Sequence, residues 1–532
     1  MSQNVCCRID RVGRTLLRTV LAGLAVALAA CASLPDRATL ALEPTHAARD
    51  GAGTPLGRIA ASALRDDGDS AFRLLPLAQP AYETRVELAR RAVRTLDVQT
   101  FVLNGDGVGL HVLAALRDAA LRGVRVRVLV DDLHSADVEP ALSDVVAYPN
   151  VEVRLINPFV RLRGSDGAKL FSSLDELHRV NHRMHNKLFA ADNAMAVFGG
   201  RNLGDEYFMR VERGGNFIDL DVLAAGQAVH ELEDAFDAYW NSEHAWPIDA
   251  IVPPRDDAET RRRRFDARVA TVATPPPDTG IPERLRNYGT APADIAEGRP
   301  GLRGALATVA VDPIDKLAGT RVGDRTGTVR ATIAEAMRAA EHEVFVVSPY
   351  FVPGALGIES MRGLRDRGVR LRLLTNSLAA TDEPAVHAGY VAYRDDMARI
   401  GVEIYELSPR LAREEARLGR FGQSVGALHA KIVIIDRRRI FVGSTNLDGR
   451  SERYNTEDGV LIESAVLANE LLELMDFESS CYRVSLDESG HLQWTEHRRG
   501  RAPVVHHDEP EASWARRLNA RLLGGLLPQE WL

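Results

Sequence analysis

Apolar positions recur along this chain in two rhythms, and the rhythms alternate in the same order twice. Ala81 to Leu96 carries its apolar residues at helical spacing, Val98 to Leu103 is a short apolar run of strand length, Gly109 to Ala120 returns to helical spacing, and Val124 to Val130 reads as a second strand. The order returns after Arg330, with Thr332 to Ala340 as helix, Val344 to Val347 as strand, Leu356 to Arg367 as helix and Val369 to Thr375 as strand. Strands that alternate with helices predict an α/β fold whose sheet contains parallel pairs. The repeat reaches the individual residues, because Arg122-Gly123-Val124-Arg125-Val126-Arg127-Val128 is mirrored by Arg367-Gly368-Val369-Arg370-Leu371-Arg372-Leu373. Two homologous domains are therefore expected, each a mixed β-sheet flanked by helices, spanning 66–250 and 311–480. Between them 251–310, with Pro253-Pro254, an arginine run Arg261 to Arg264 and Pro275-Pro276-Pro277, reads as a connection. The run is either a contact for anionic head groups or, as preferred, a solvated helix face.

A short motif recurs at the same place in each repeat. His185, Lys187, Asp192, Gly199, Gly200 and Asn202 match His429, Lys431, Asp436, Gly443, Ser444 and Asn446 with identical spacing, 244 residues apart. Met184 to Ala190 is short and apolar, so it reads as a strand with His185, Lys187 and Phe189 on one face. Asp192-Asn193 is then a hairpin turn, Met195 to Phe198 the return strand, and the glycine pair a tight turn that brings Asn202 back to that face. One lone histidine on a strand would be ordinary; the joint recurrence of imidazole, ammonium and amide points to a half-site used twice.

The duplicated constellation resembles the phospholipase D superfamily, which carries this His-x-Lys, Asp, Gly and Asn pattern in two copies. Arg183 to Lys187, Gly199 to Phe208, Ser348 to Pro353, Thr375 to Leu378 and Gly443 to Leu447 are similar to the bacterial cardiolipin synthase branch. Gly200 stands where many members have Ser, and Thr445 where Phe is common. The resemblance covers nearly all of the mature chain and implies two phospholipase D-like domains with the active site at their interface. It also implies a phosphatidyltransferase or phosphodiesterase acting on phospholipid phosphodiesters, with the N-terminal His185 as nucleophile and His429 as acid and base.

Phosphodiester chemistry asks for those residue types. One imidazole attacks phosphorus to give a phosphohistidine while the other protonates the leaving alcohol and later deprotonates the acceptor. Lys187, Lys431, Asn202 and Asn446 would stabilise the equatorial oxygens, so neither a cofactor nor a metal is called for. Asp192 and Asp436, at the turns, are expected to hold backbone amides instead. Each imidazole also needs an orienting acid. Glu457 is expected to serve the second half; in the first half Asp219 is preferred and Asp221 is the reserve, while Glu206 reads equally as a surface acid. A nuclease with the same half-sites, or a non-catalytic lipid-binding lipoprotein, are the competing readings.

Composition narrows the partners. The 532 residues are 45% hydrophobic and 26% charged, ordinary globular material, and the formal net charge of −8 argues against a nucleic-acid partner. The N-terminus reads as a signal peptide, 1–30: Arg8, Arg11, Arg14 and Arg18 precede an apolar Thr19 to Ala30 that is short for a span of roughly 20 residues. Leu28-Ala29-Ala30-Cys31 resembles a lipobox, against the readings of a plain secretory signal or an uncleaved anchor. It implies cleavage before Cys31, lipidation of that residue, and a periplasm-facing lipoprotein, on the outer membrane where there are two membranes. Residues 31–65 then read as a tether. Of the four cysteines, Cys6 and Cys7 would leave with the signal and only Cys481 would remain beside Cys31, which leaves no intramolecular disulfide. Membrane phospholipids and the bilayer are thus the expected partners; nothing in the pattern sets an oligomeric state. The extension 481–532 suggests a hairpin near Val484 to Trp494 and a helix from Trp514 to Leu527, whose Trp514, Leu518, Leu522, Leu523 and Leu526 form an interfacial stripe or, as preferred, pack on the core.

Overall fold

A computed structural model describes residues 34–40, 42–64, 69–211, 215–272, 285–319, 327–415, 425–475, 478–498 and 500–526. The signal peptide and Cys31 lie outside these residues, as do Leu527 and Pro275 to Pro277. No helix among the described residues is long and apolar enough to cross a membrane.

Each half is a mixed sheet built in the same order. In the first, Thr95–Thr100, Arg125–Asp131 and Val151–Ile156 run parallel, and Leu188–Ala191, Met195–Gly199, Asp221–Gly226 and Ser70–Leu75 continue the sheet antiparallel. In the second, Glu343–Val347, Arg370–Asn376 and Glu403–Leu407 are parallel, followed antiparallel by Ile432–Ile435, Arg439–Gly443, Asp458–Glu463 and Arg303–Val311. The α/β class and the two mixed sheets expected from the repeat are what the fold contains. The two sheets are joined where Ser70–Phe72 pairs antiparallel with Arg303–Ala305. One core lies on the outer side of each sheet, and a third, shared core mixes Phe72, Leu188 and Phe198 with Phe345, Ile432 and Val442. Helices Gln227–Trp240 and Ala465–Leu474 contribute Phe236, Trp240, Leu467 and Leu471 to that shared core. The halves are therefore bonded through a continuous apolar interior, which gives residues from both a fixed mutual position.

Three expectations from the sequence change. The strand expected over 98–103 is Thr95–Thr100, and the preceding helix ends at Arg91. Its polar Asp97 hides the strand from a periodicity argument, yet Asp97 is buried and paired with Arg127 at 2.6 Å. The tether 31–65 is in good part folded onto the first half. Helix Pro55–Ala63, capped by Thr54 on the amide of Gly57 at 2.9 Å, buries Leu56 and Ile59, and the Thr45 carbonyl accepts from Arg127. The connection 251–310 holds the strand Arg303–Val311, an integral member of the second sheet. Its helix Ala258–Ala270 is pinned to the first half, not merely solvated, because Arg261 pairs with Asp249 and Arg264 with Asp144.

The extension forms strands Cys481–Leu486, Leu492–Glu496 and Val504–His506, which continue the second sheet beyond Glu403–Leu407. Helix Trp514–Leu526 follows. It packs through buried Ala520 on Leu378, while Trp514, Leu518 and Leu522 remain exposed.

Candidate active site

The run through His185 is not one strand. Arg183–Met184 pairs in parallel with Asn455–Thr456 of the other half, whereas Leu188–Ala191 pairs within its own sheet; His185-Asn186-Lys187 is the crossing point. The second copy does the same, with Val425–Leu428 parallel to Gly215–Ile218 and Ile432–Ile435 returning to its own sheet. Met184 lies opposite Thr456 and Leu428 opposite Ile218, so extending each register by one residue sets His185 beside Glu457 and His429 beside Asp219. The backbone amides of His185 and His429 bond the carbonyls of Thr456 and Ile218 at 2.9 and 2.8 Å, which fixes both crossings.

The orienting acids therefore come from the opposite halves. His185 Nδ1 lies 2.8 Å from Glu457 Oε2, and His429 Nδ1 lies 2.6 Å from Asp219 Oδ2. This corrects the expectation that Asp219 or Asp221 would serve His185 and Glu457 the histidine of its own half. The physical reason is the short parallel pairing between halves, which no single repeat contains. Asp221 is committed elsewhere, to Arg85 at 2.9 Å and Arg201 at 3.2 Å. A carboxylate on Nδ1 places the ring proton there and leaves Nε2 with its lone pair free for chemistry.

Both imidazoles, both lysines and both acids are buried. Lys187 Nζ and Lys431 Nζ donate to the carbonyls of His185 and His429. Burial pushes the Lys187 ammonium down to about 8 and Lys431 to about 7 against the pull of the nearby carboxylates. Burial also pushes His185 down to about 4, with Glu457 opposing and Lys187 and Lys431 adding to the fall. His429 is lowered by burial and by Lys431 and Lys187. Although burial works against their charge, Asp219 and Glu457 are held at about 2 by the histidines and lysines beside them. Each half-site thus feels the charges of the other, and the pair offers neutral imidazoles among cations that an anionic phosphodiester would stabilise.

Asn202 Oδ1 accepts from the amide of Val102 at 3.2 Å, and Asn446 is buried at the equivalent position. Asp192 accepts from the amides of Val93, Arg94 and Thr95, and Asp436 from those of Glu341, His342 and Glu343, both at turns with positive φ. Glu206 is bound to Asn104 at 3.0 Å.

Several contributors have no signature in the repeat. Asp458 accepts from the amide of Lys187 at 3.2 Å and is raised by burial to about 7. Asn376 clamps Leu428, beside His429, through its amide nitrogen at 2.9 Å and its oxygen at 2.8 Å. Phe101 stands edge-on to His185 with ring centroids 4.9 Å apart, and Tyr207 and Phe217 flank His429 at 5.2 and 5.0 Å. Phe101 and Tyr207 lie outside the strands, and alternation marks Phe217 only as apolar.

The glycine at position 200 has a local cause. Ser444 Oγ donates to Glu457, whereas a Cβ at Gly200 would fall 2.1 Å from Asp219 Oδ1. The shorter acid of the one pair occupies the space that the serine fills in the other. Gly200→Ser is expected to displace Asp219 and lower kcat by roughly 10²-fold, the scale of an ångström-sized misplacement. A steady-state rate within twofold of the parent would show that Asp219 yields freely.

Two α/β halves that complete each other's histidine form a composite candidate site, and the comparisons give the chain a family. The chain matches the family model described as cardiolipin synthase, PLD-like domain, over residues 86–240 and 333–477. The chain belongs to this family and is an enzyme of the phospholipase D superfamily, as the resemblance in its motifs implied. It is 34% identical over 473 residues to cardiolipin synthase C of Escherichia coli strain K12, covering 86% of this chain and 96% of that protein. It is 26% identical over 407 residues to cardiolipin synthase A of Pseudomonas aeruginosa, covering 76% and 66% of the two chains. The crystal structure of phosphatidylserine synthase from Haemophilus influenzae Rd KW20 shares the fold with a TM-score of 0.51 at 14% identity, over 77% of this chain and 87% of that one.

Proposed function

We propose that the protein moves a phosphatidyl group from a phospholipid to an alcohol, as in cardiolipin synthesis, through a covalent phosphohistidine. The observation that carries this reading is the crossed pair of His–carboxylate contacts around two buried lysines. The near full-length similarity to cardiolipin synthase C supports the choice of a phospholipid substrate. In the first step Nε2 of His185 attacks phosphorus, the bond to the leaving oxygen breaks, and His429, which takes up a second proton on Nε2 once the anionic phosphodiester is bound beside it, gives that oxygen its proton. In the second the acceptor hydroxyl returns a proton to His429, its oxygen attacks phosphorus, and the P–N bond breaks. Lys187 and Lys431 balance the charge of the five-coordinate transition state. Mass spectrometry of lipids after incubation of purified protein with a defined phospholipid and glycerol tests the reading. New phosphatidyl esters of the acceptor are expected; phosphatidic acid alone would mean hydrolysis, and cleavage of oligonucleotides instead of lipids would mean a nuclease.

The pH dependence follows from the shifts. A nucleophilic His185 must be neutral, and since its pKa falls to about 4, activity is expected to persist down toward that pH. His429 must start as an acid and its pKa is lowered by burial and by Lys431 and Lys187, so kcat/KM is expected to begin falling below the ordinary histidine value, and to fall further through about 7 to 8, where Lys431 and Lys187 lose their protons. A profile whose acid limb lies near 6.5, the ordinary histidine value, would contradict this ordering.

We also propose attachment to a membrane through lipidated Cys31, a reading motivated by the Leu28-Ala29-Ala30-Cys31 sequence. Cys31→Ser is expected to abolish incorporation of labelled palmitate in cells, and unchanged labelling would refute it.

A further inference from the structure

Large apolar side chains stand exposed on two elements, one reached from each half-site. Beside the first half-site, helix Asp166–Ser172 presents Leu170 and Phe171, the latter 67% exposed, next to exposed Leu162. Its first residue, Asp166, lies 3.4 Å from His134, which is edge-on to Phe101 at 5.4 Å, and Phe101 in turn touches His185. Beside the second half-site, helix Trp514–Leu526 presents Trp514, 77% exposed, with Leu518 and Leu522 one and two turns further on the same face. Arg516 of that helix bonds the carbonyl of Thr381, and the neighbouring Asp382 accepts from Tyr350 at 2.6 Å and acts electrostatically on Lys431 and Tyr207. Each histidine is thus connected, through a few contacts, to its own exposed apolar patch, and the two routes approach each other where Glu383, next to Asp382, acts electrostatically on His134.

Such patches need an occupant, since large exposed aromatic and leucine side chains in one place are unfavourable in water. Helix Trp514–Leu526 contains three arginines, Arg516, Arg517 and Arg521, and no acidic residue, in a chain whose net charge is −8, although Arg517 faces Asp508 at 3.7 Å. An apolar stripe headed by tryptophan on a basic helix is the composition of an element that lies in a lipid interface. A bilayer seated on both patches would also bring its phosphodiesters to the half-sites behind them.

We propose that Leu162, Leu170 and Phe171, together with Trp514, Leu518 and Leu522, form one docking surface that seats the two half-sites on an anionic phospholipid bilayer. The surface supplies the substrate for the phosphatidyl transfer proposed above and rests on that reading. It differs from an anchor at Cys31 in being non-covalent and in orienting the site.

The test uses the chain from residue 31 onward carrying Cys31→Ser, so that neither a thiol lipid nor the apolar signal segment contributes and the buried Cys481 is the one native thiol. Flotation with vesicles of phosphatidylethanolamine and phosphatidylglycerol is compared with turnover of dihexanoyl phosphatidylglycerol below its micellar concentration. Phe171→Ser combined with Trp514→Ser and Leu518→Ser is expected to weaken flotation and turnover of vesicle lipid about tenfold or more, with turnover of the monomeric lipid within about twofold of the parent. In separate proteins, Phe171→Cys and Leu518→Cys labelled with an environment-sensitive fluorophore are each expected to shift to the blue on addition of vesicles, a readout independent of the triple variant's folding. Undiminished flotation, or no shift at either label, would overturn the surface. So would a parent that sediments as a dimer and becomes monomeric in the triple variant, because the patches would then join two copies. A parent that floats but turns over neither lipid would sink the phosphatidyl-transfer reading and leave the docking surface standing.

Discussion

His185→Ala is expected to abolish transfer of lipid phosphatidyl groups, and His429→Ala to slow it on the order of 10²- to 10⁴-fold. The difference follows from their proposed tasks. Loss of a nucleophile closes the covalent route, whereas loss of a general acid and base leaves attack possible at a reduced rate. The chemical environment supports neutral attack by His185, because burial depresses its pKa to about 4 and the Glu457 contact leaves Nε2 unprotonated. A substrate with a leaving group that needs no proton should recover much of the His429→Ala defect and none of the His185→Ala defect. Equal recovery in both variants, measured as single-turnover release of that leaving group, would remove the assignment.

Asp219→Asn and Glu457→Gln are expected to lower kcat by roughly 10³- to 10⁴-fold, with little change in KM. An amide that replaces the orienting carboxylate can hold the wrong imidazole tautomer without moving the ring, and that loss is known to be of this order; at 1.36 kcal/mol per tenfold it corresponds to about 4–5 kcal/mol of barrier. The crossed geometry makes the prediction specific. Asp219→Asn should shift the ring-nitrogen resonances of His429 and leave those of His185 in place, and Glu457→Gln should do the reverse. Nitrogen NMR of histidine-labelled protein reads this directly. A shift in the histidine of the same half would contradict the crossing.

The extent to which the sequence foretells this site depends on where each residue gets its position. The His, Lys and Asn pairs are legible because they repeat with the same spacing, and the turn aspartates because a hairpin needs φ above zero at that point. Glu457 and Asp219 are legible as acids beside a strand, but their partners are not. Their placement depends on Arg183–Met184 and Val425–Leu428 leaving their own sheets, an arrangement with no local pattern. The folded part of the tether did carry a signal, since Thr54-Pro55 is a helix start and Leu56, Ile59 and Ala60 share a face. Strand Arg303–Val311 is harder, because Arg303, Gly304 and Leu306 are exposed and its burial is spread across both halves' sheets. Asp97 and Arg127 show the complementary failure: a buried ion pair breaks the apolar run that would have set the strand boundary.

The covalent step at the composite site is tested most directly by mapping a trapped adduct. His429→Ala is mixed with a phosphatidyl ester whose leaving group needs no protonation, quenched, digested and analysed by mass spectrometry at alkaline pH, where phosphohistidine survives. The phosphatidyl group is expected on the peptide that contains His185, with none on any peptide of His185→Ala treated in the same way. An adduct on His429 in the His185→Ala protein would reverse the roles, and rapid release of the leaving group by His429→Ala with no adduct on any histidine would contradict the covalent mechanism.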